Sequence, residues 1–220
     1  MPATAAFYFD LASPLAYLAA EQALTAFSEA RQPVEWIPVS VDALPGGETF
    51  EAPRCQTEAE IVREEIERRA RELGLQPLRW PDPFPFDSAL AMRVATYAKS
   101  IGRTVPFAQA AFRQAFAGGR ALDDEDAVVI AAAACEMHPA AVLKGAATRA
   151  VAYRLAEATQ DAARAGVRDV PAVLAGDEVF HGERELPRAA AALRVLPPRG
   201  ADDGSPRDTP LKIKKISSAR

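Results

Sequence analysis

The sequence predicts an α/β fold in which a long helical segment interrupts a small sheet. Three observations predict it. The chain opens on a short apolar run, AAFYF, that reads as a buried strand and is followed by Ser13-Pro14, a helix-start signal. Residues 57–165 carry helical patterns almost throughout. Strand patterns then return at 170–174 and 178–180, on either side of a Gly176-Asp177 turn. The composition, 49% hydrophobic, 25% charged and rich in Ala, suits a globular, helix-leaning chain. A length of 220 residues suffices for one domain with a real core and an inserted subdomain, and is too short for two large domains.

Each element has a local reason. Residues 5–9 form the first strand. Ser13 is an N-cap and Pro14 takes the first position of a helix over 14–29, with Leu15, Leu18, Ala19 and Gln22 at helical spacing. Residues 33–41 (PVEWIPVSV) alternate as a second strand, and Pro38 places it at a sheet edge or at its own end. The resulting β-α-β unit should be right-handed. Residues 44–56 are loop. Thr57-Glu58-Ala59-Glu60 reads as a capping box opening a helix to Leu73, with Gly74 as its stop. The proline-rich stretch 75–86 is irregular. Asp87 or Ser88 caps a helix to Ile101, and another spans 105–117. The carboxylates of Asp123, Asp124, Glu125 and Asp126 suit the positive end of the next helix. Pro139 starts a short helix, and a long one spans 146–165. Gly182 ends the hairpin and 185–196 is the last helix. From residue 197 (PPRGADDGSPRDTP) the chain reads as a disordered tail, and its basic end, LKIKKISSAR, as solvated.

This order is the thioredoxin arrangement with helices inserted. The expected division is a thioredoxin-like domain at 1–56 plus 166–196, an all-helical insertion at 57–165 and a tail at 197–220. In that fold the Val170-Pro171 bond is expected to be cis, facing the N-terminus of the first helix. A cis X-Pro bond costs only about 0.5–1 kcal/mol over trans.

Scarcity excludes several functions. The net charge of −4 speaks against nucleic-acid binding. No apolar run approaches the roughly 18 residues of a transmembrane helix, and MPATAAFYFD has no basic segment of the signal-peptide kind, so a cytoplasmic protein without membrane contact is expected. Cys55 and Cys135 form no C-x-x-C, and His138 and His181 have no zinc-site spacing, so no metal is expected. Phosphate-cradling and G-x-S-x-G motifs are missing from the sequence. Both cysteines read as space-filling, with Cys55 on a loop.

Three segments carry a family resemblance. FYFDLASPLAYLAAE (7–21), PFPFDSALAMRVATYA (83–98) and GVRDVPAVLAGDEVFHGERELPRAAAAL (166–193) resemble the 2-hydroxychromene-2-carboxylate isomerases and kappa-class glutathione transferases. Order and spacing hold across 5–195. The resemblance implies the DsbA-like architecture, a thiol cofactor such as glutathione, a small-molecule substrate and a homodimer. It places Ser13 where redox relatives carry a nucleophilic Cys, as a catalytic hydroxyl that stabilises a bound thiolate. It implies that the Val170 N–H and C=O, next to Pro171, pair with the backbone of the bound thiol as an added strand. Arg184 and Glu185 match the family's Asp-Arg pair at the γ-glutamyl end, in reversed charge order. Asp87 matches a family Asn and His181 a usual Trp. The loop DALPGGETFEAPR lacks the Lys and Asn with which relatives contact ligand. Tyr17, Asp87 and Arg93 are candidates for contact with substrate. Each residue also has a plain reading: Ser13 and Asp87 as N-caps, Val170-Pro171 as a strand end, Tyr17 and Trp36 as core aromatics, Arg93 as a surface charge.

Disulfide exchange at this site is excluded by chemistry, because it needs a nucleophilic and a resolving Cys and the corresponding residues are Ser13 and Ala16. Three functions stay open: a thiol-dependent isomerase acting on an aromatic or apolar electrophile, a glutathione-conjugating transferase, and a non-catalytic thioredoxin-like binding module.

Overall fold

The computed structural model describes residues 4–47 and 55–197. The predicted tail beyond 197 and most of the 44–56 loop lie outside the described residues. Four strands form one mixed sheet: β1 (Ala5–Phe9), β2 (Glu35–Pro38), β3 (Ala172–Ala175) and β4 (Glu178–His181). Their order is β2-β1-β3-β4, with β1 parallel to β2 and antiparallel to β3, and β3 antiparallel to β4. Eight α-helices occur among the described residues: α1 (Pro14–Ala26), α2 (Gln56–Glu72), α3 (Ala89–Ser100), α4 (Thr104–Phe116), α5 (Glu125–Ala133), α6 (Pro139–Ala146), α7 (Arg149–Arg164) and α8 (Leu186–Val195). Helices α2 to α7 all fall between β2 and β3 in the chain.

The central strand β1 is buried on both faces, as its unbroken apolar run requires. Phe7 and Phe9 belong to the larger core, which includes Tyr17, Trp36, Phe112 and Phe116. Ala6 and Tyr8 face a smaller core with Ala162 of α7, Val167, Val170 and Leu174. Phe7 packs edge-on against Trp36 of β2, 4.7 Å between centroids, and Phe9 lies tilted against Phe112 of α4 at 5.9 Å, which ties the sheet to the helical block. Burying one such ring contributes roughly 1.5–3 kcal/mol. Pro38 sits on an edge strand, where its missing N–H leaves no ladder bond unmade.

Several boundaries shift for identifiable reasons. The capping box at Thr57 does not form. Helix α2 begins at Gln56, because the Cys55 carbonyl already accepts from the N–H groups of Glu58 (3.0 Å) and Ala59 (3.2 Å). Thr57 thus lies inside the first turn. The predicted helix over 146–165 starts at Arg149 instead, because the Thr148 hydroxyl accepts from Val151 N at 3.3 Å and caps α7 there. Helix α1 stops at Ala26 rather than 29, where the Ser28 hydroxyl takes the Thr25 carbonyl at 2.8 Å. Strand β3 starts at Ala172 rather than 170, since Pro171 has no N–H for the ladder. Gly74 does close α2, at a φ of +69° that suits glycine. No helix among the described residues is long and apolar enough to cross a membrane.

Candidate functional site

The β1–α1 turn places Ser13. Its backbone is extended, φ −87° and ψ 114°, and its hydroxyl oxygen accepts from Ala16 N at 3.1 Å while Pro14 opens α1. The same hydroxyl reaches across to the Val170 carbonyl at a long 3.5 Å. Ser13 is therefore both the cap of α1 and the residue that faces the Val170–Pro171 peptide, which is cis. It lies half-buried on the wall of a cleft of about 400 Å³. One wall is apolar, made by Val62 and Ile66 of α2 and by Pro85 and Phe86 ahead of α3. Three carboxylates, Asp42, Asp87 and Asp169, stand on the other walls, and no Lys, Arg or His is among the described lining residues.

Asp10, which the sequence analysis does not single out, holds these walls together. It is buried, accepting from Ala12 N and from Val41 N, each at 3.0 Å. The Ser88 hydroxyl also hydrogen-bonds to it. One carboxyl thus joins the α1 turn, the loop after β2 and the start of α3. Burial pushes it above the ordinary carboxylate range, while these hydrogen bonds pull it back down.

The loop 166–171 is fixed from two sides. Gly46 N donates to Arg168 O at 2.8 Å, and Arg168 N donates to His181 Nε2 at 3.1 Å. Burial, followed by the Arg168 charge, holds the His181 imidazole below its usual value of 6.5. The unfolded chain therefore binds more protons, so stability falls as pH drops below about 6.5. His181→Gln keeps an acceptor but does not titrate. Its melting temperature should fall less than that of the wild type between about pH 7.5 and about pH 5. Equal pH slopes in the two proteins would refute this.

Of the predicted site residues, the cleft gathers Ser13, Asp87 and Val170, with Pro171 buried directly behind. Asp87 also caps α3, accepting from Ala89 N at 2.8 Å. Four others lie elsewhere. Tyr17 is in the core, stacked on Phe116 at 5.6 Å, with burial raising its hydroxyl pKa. Arg93 is exposed and does not line the cleft. Arg184 pairs with Glu65 of α2 at 2.7 Å, and Glu185 with Arg188 at 2.5 Å. Their turn projects toward α2 because the preceding residue, Glu183, is buried against Arg69. The expectation for Val170 also changes. Its N–H is taken by Asp169 Oδ1 at 2.7 Å, so an added strand would have to displace that carboxylate.

Ala16, three residues after Ser13, is fully buried in α1. Cys135 is buried with its thiol on the Ala131 carbonyl at 3.3 Å, Cys55 is exposed, and neither lines the cleft. A larger groove of about 970 Å³ between α7 and the sheet contains none of the predicted site residues. No group of three or more His, Cys, Asp or Glu among the described residues is placed to hold a metal ion.

Residues 4–194 match the family model of the DSBA-like thioredoxin domain. The chain belongs to the DsbA-like thioredoxin family. Solved structures with this DsbA-like fold agree. A 2-hydroxychromene-2-carboxylate isomerase superposes with a TM-score of 0.75 at 20% identity, covering 86% of this chain and 93% of its own. A probable DsbA oxidoreductase from Streptomyces coelicolor gives 0.64 at 19% identity, covering 88% and 91%. The cytosolic disulfide reductase DsbM from Pseudomonas aeruginosa, solved with GSH, gives 0.59 at 13% identity, covering 87% and 96%. At these identities the likeness establishes the DsbA-like fold alone. No curated protein sequence matches the chain significantly.

Proposed function

We propose that the chain is a thiol-dependent enzyme, an isomerase of the 2-hydroxychromene-2-carboxylate isomerase type, with Ser13 as its catalytic residue. The observation that carries this reading is the Ser13 hydroxyl, half-buried at the N-terminus of α1 on the wall of an apolar-sided cleft, opposite Val170-Pro171. A hydroxyl and helix N–H groups aimed at one point stabilise an anion there and lower the pKa of a bound thiol. Its contact to Val170 O is long enough to be given up for a stronger one to a thiolate. Phe86, Val62 and Ile66 offer the surface on which an aromatic or apolar electrophile rests.

The chemistry closes without a redox partner. The thiol loses its proton to solvent, and the thiolate adds to a carbon–carbon double bond conjugated to a carbonyl, so the C–S bond forms as the π bond opens and its electron pair moves onto the carbonyl oxygen. The bond that is now single rotates, the electron pair returns to re-form the double bond, and the C–S bond breaks to release the thiolate unchanged. The described residues suit the sulfur of glutathione better than the rest of it. Glutathione bears two carboxylates, and three carboxylates line the cleft with no basic side chain among its described residues. A second reading, a non-catalytic binding module, draws support from the internal pairing of Val170 N–H with Asp169.

Thiol titration by calorimetry and ultraviolet thiolate absorbance, on wild type and Ser13→Ala, tests the proposal. A ligand at 100 times its dissociation constant should add about 2.7 kcal/mol of stability. Thiolate absorbance that depends on Ser13 is expected. Absence of any thiol binding would leave the binding-module reading. Given binding, thiol recovered unchanged marks an isomerase and a stable conjugate a transferase.

A further inference from the structure

We propose that the groove between α7 and the sheet is a second ligand site, one that takes a small uncharged molecule carrying a hydroxyl on an apolar frame, with Tyr8 as its recognition residue. The site is independent of the thiol reading, because the groove shares no lining residue with the Ser13 cleft. Tyr8 of β1, Ile37 of β2 and Leu174 of β3 line it from the sheet, and α7 and the end of α3 supply the other walls. Its volume, about 970 Å³, is in the range that holds a small molecule.

Four hydroxyls line the groove among the described residues, and three are already used. Thr4 donates to Gln32 Oε1 at 3.0 Å, Thr96 to the Met92 carbonyl at 2.8 Å and Ser100 to the Tyr97 carbonyl at 2.6 Å. The fourth, Tyr8, has no hydrogen-bond partner among the described residues, although the residue is only 5% exposed. Burial and then the charges of Glu35 and Asp161 raise its pKa, so it remains a protonated donor at neutral pH. Glu35 is on β2 and Asp161 on α7, so the phenolic oxygen that feels both lies between the two walls. A buried donor without a partner is costly, and a ligand oxygen that accepts from it removes that cost.

The charges of the walls favour an uncharged ligand. Lys99 bonds Glu35 at 2.5 Å, and Arg164 bonds Asp161. Arg154 and Glu157 stand one turn apart on α7 with opposite signs, and Asp177 lies on the turn before β4. A charged ligand meets both signs on these walls and gains little from either. Ile37 and Leu174 receive an apolar frame. A ligand hydroxyl, unlike a carbonyl, accepts from Tyr8 and also donates to a flanking carboxylate, whose remaining lone pairs stay available within an ion pair.

The test is a chemical-shift titration of isotope-labelled protein by nuclear magnetic resonance with four probes of similar size: benzyl alcohol, toluene, benzoate and benzylamine. Wild type, Tyr8→Phe and Ala158→Trp are compared. Benzyl alcohol should bind wild type about tenfold more tightly than toluene, and should shift the signals of Ala158 and Leu174. Tyr8→Phe keeps the ring and its packing, and should bring the two probes level. Ala158→Trp fills the groove from α7 and should abolish binding there. Equal binding of benzyl alcohol and toluene to wild type, or a preference that survives in Tyr8→Phe, overturns the role of Tyr8. Tighter binding of benzoate or benzylamine overturns the uncharged class. Shifts confined to the Ser13 cleft, or no binding by any probe, overturn the site and leave the thiol reading untouched.

Discussion

Ser13→Ala is expected to lower thiol-dependent turnover by about 10²–10³-fold, the usual cost of removing one preorganised donor to a reacting anion. The residue is half-buried, and among the described residues its hydroxyl hydrogen-bonds to Ala16 N and Val170 O, both main-chain groups. As the N-cap of α1 it stabilises the protein by only about 1 kcal/mol, and the variant should fold. Activity and stability therefore separate in this variant. A pH profile distinguishes the catalytic role from a structural one. With the donor removed, the bound thiol's pKa returns toward its free value of about 8.5, so the alkaline rise of kcat moves to higher pH. Ser13→Thr keeps a hydroxyl and should recover part of the rate. Full activity in Ser13→Ala would refute the assignment.

Arg69→Met is expected to destabilise the protein by about 3 kcal/mol, the largest stability effect of any single substitution considered. Glu183 is 4% exposed, and Arg69 holds it with Nη2 at 2.8 Å and Nε at 3.1 Å. Without the guanidinium, a buried carboxylate keeps a single side-chain donor, Gln22 Nε2 at 3.0 Å. The reverse change should be milder. Glu183→Gln leaves a neutral amide in the buried position, and Arg69 retains Glu72 and contact with solvent. Its cost should be about 1 kcal/mol, that of a typical hydrogen bond. Because α2 supplies Val62 and Ile66 to the cleft, Arg69→Met should also weaken apolar substrate binding. Denaturant unfolding of both variants checks the asymmetry. Equal losses would show that the pair contributes through packing rather than charge.

The sequence determined the element order and most of the boundaries through local patterns. AAFYF gave β1 at its observed bounds, Ser13-Pro14 gave the start of α1, and the run Asp123 to Asp126 gave the start of α5, where the structure shows Asp124 accepting from Asp126 N. These signals act within a few residues, so they are readable along the chain. Ser13 and Val170 were legible for the same reason, as a helix cap and a residue before proline, and the structure puts them on one cleft. What the sequence misplaced depends on distant partners. Tyr17, a candidate for substrate contact whose plain reading was a core aromatic, packs inward on Phe112 and Phe116, nearly a hundred positions away. Arg184 and Glu185 follow a ligand motif in sequence, yet the burial of Glu183 against Arg69 turns them to the surface. Asp10 looks like any loop aspartate until the folded chain brings Val41 and Ser88 to it. Asp169 carried no signal in the sequence, and its bond to Val170 N appears only in the folded chain. Short-range hydrogen bonds and periodicity set the elements. Burial and charge pairing between residues far apart in the chain decided what the cleft contains and what it repels, because those energies exist only once the chain has closed on itself.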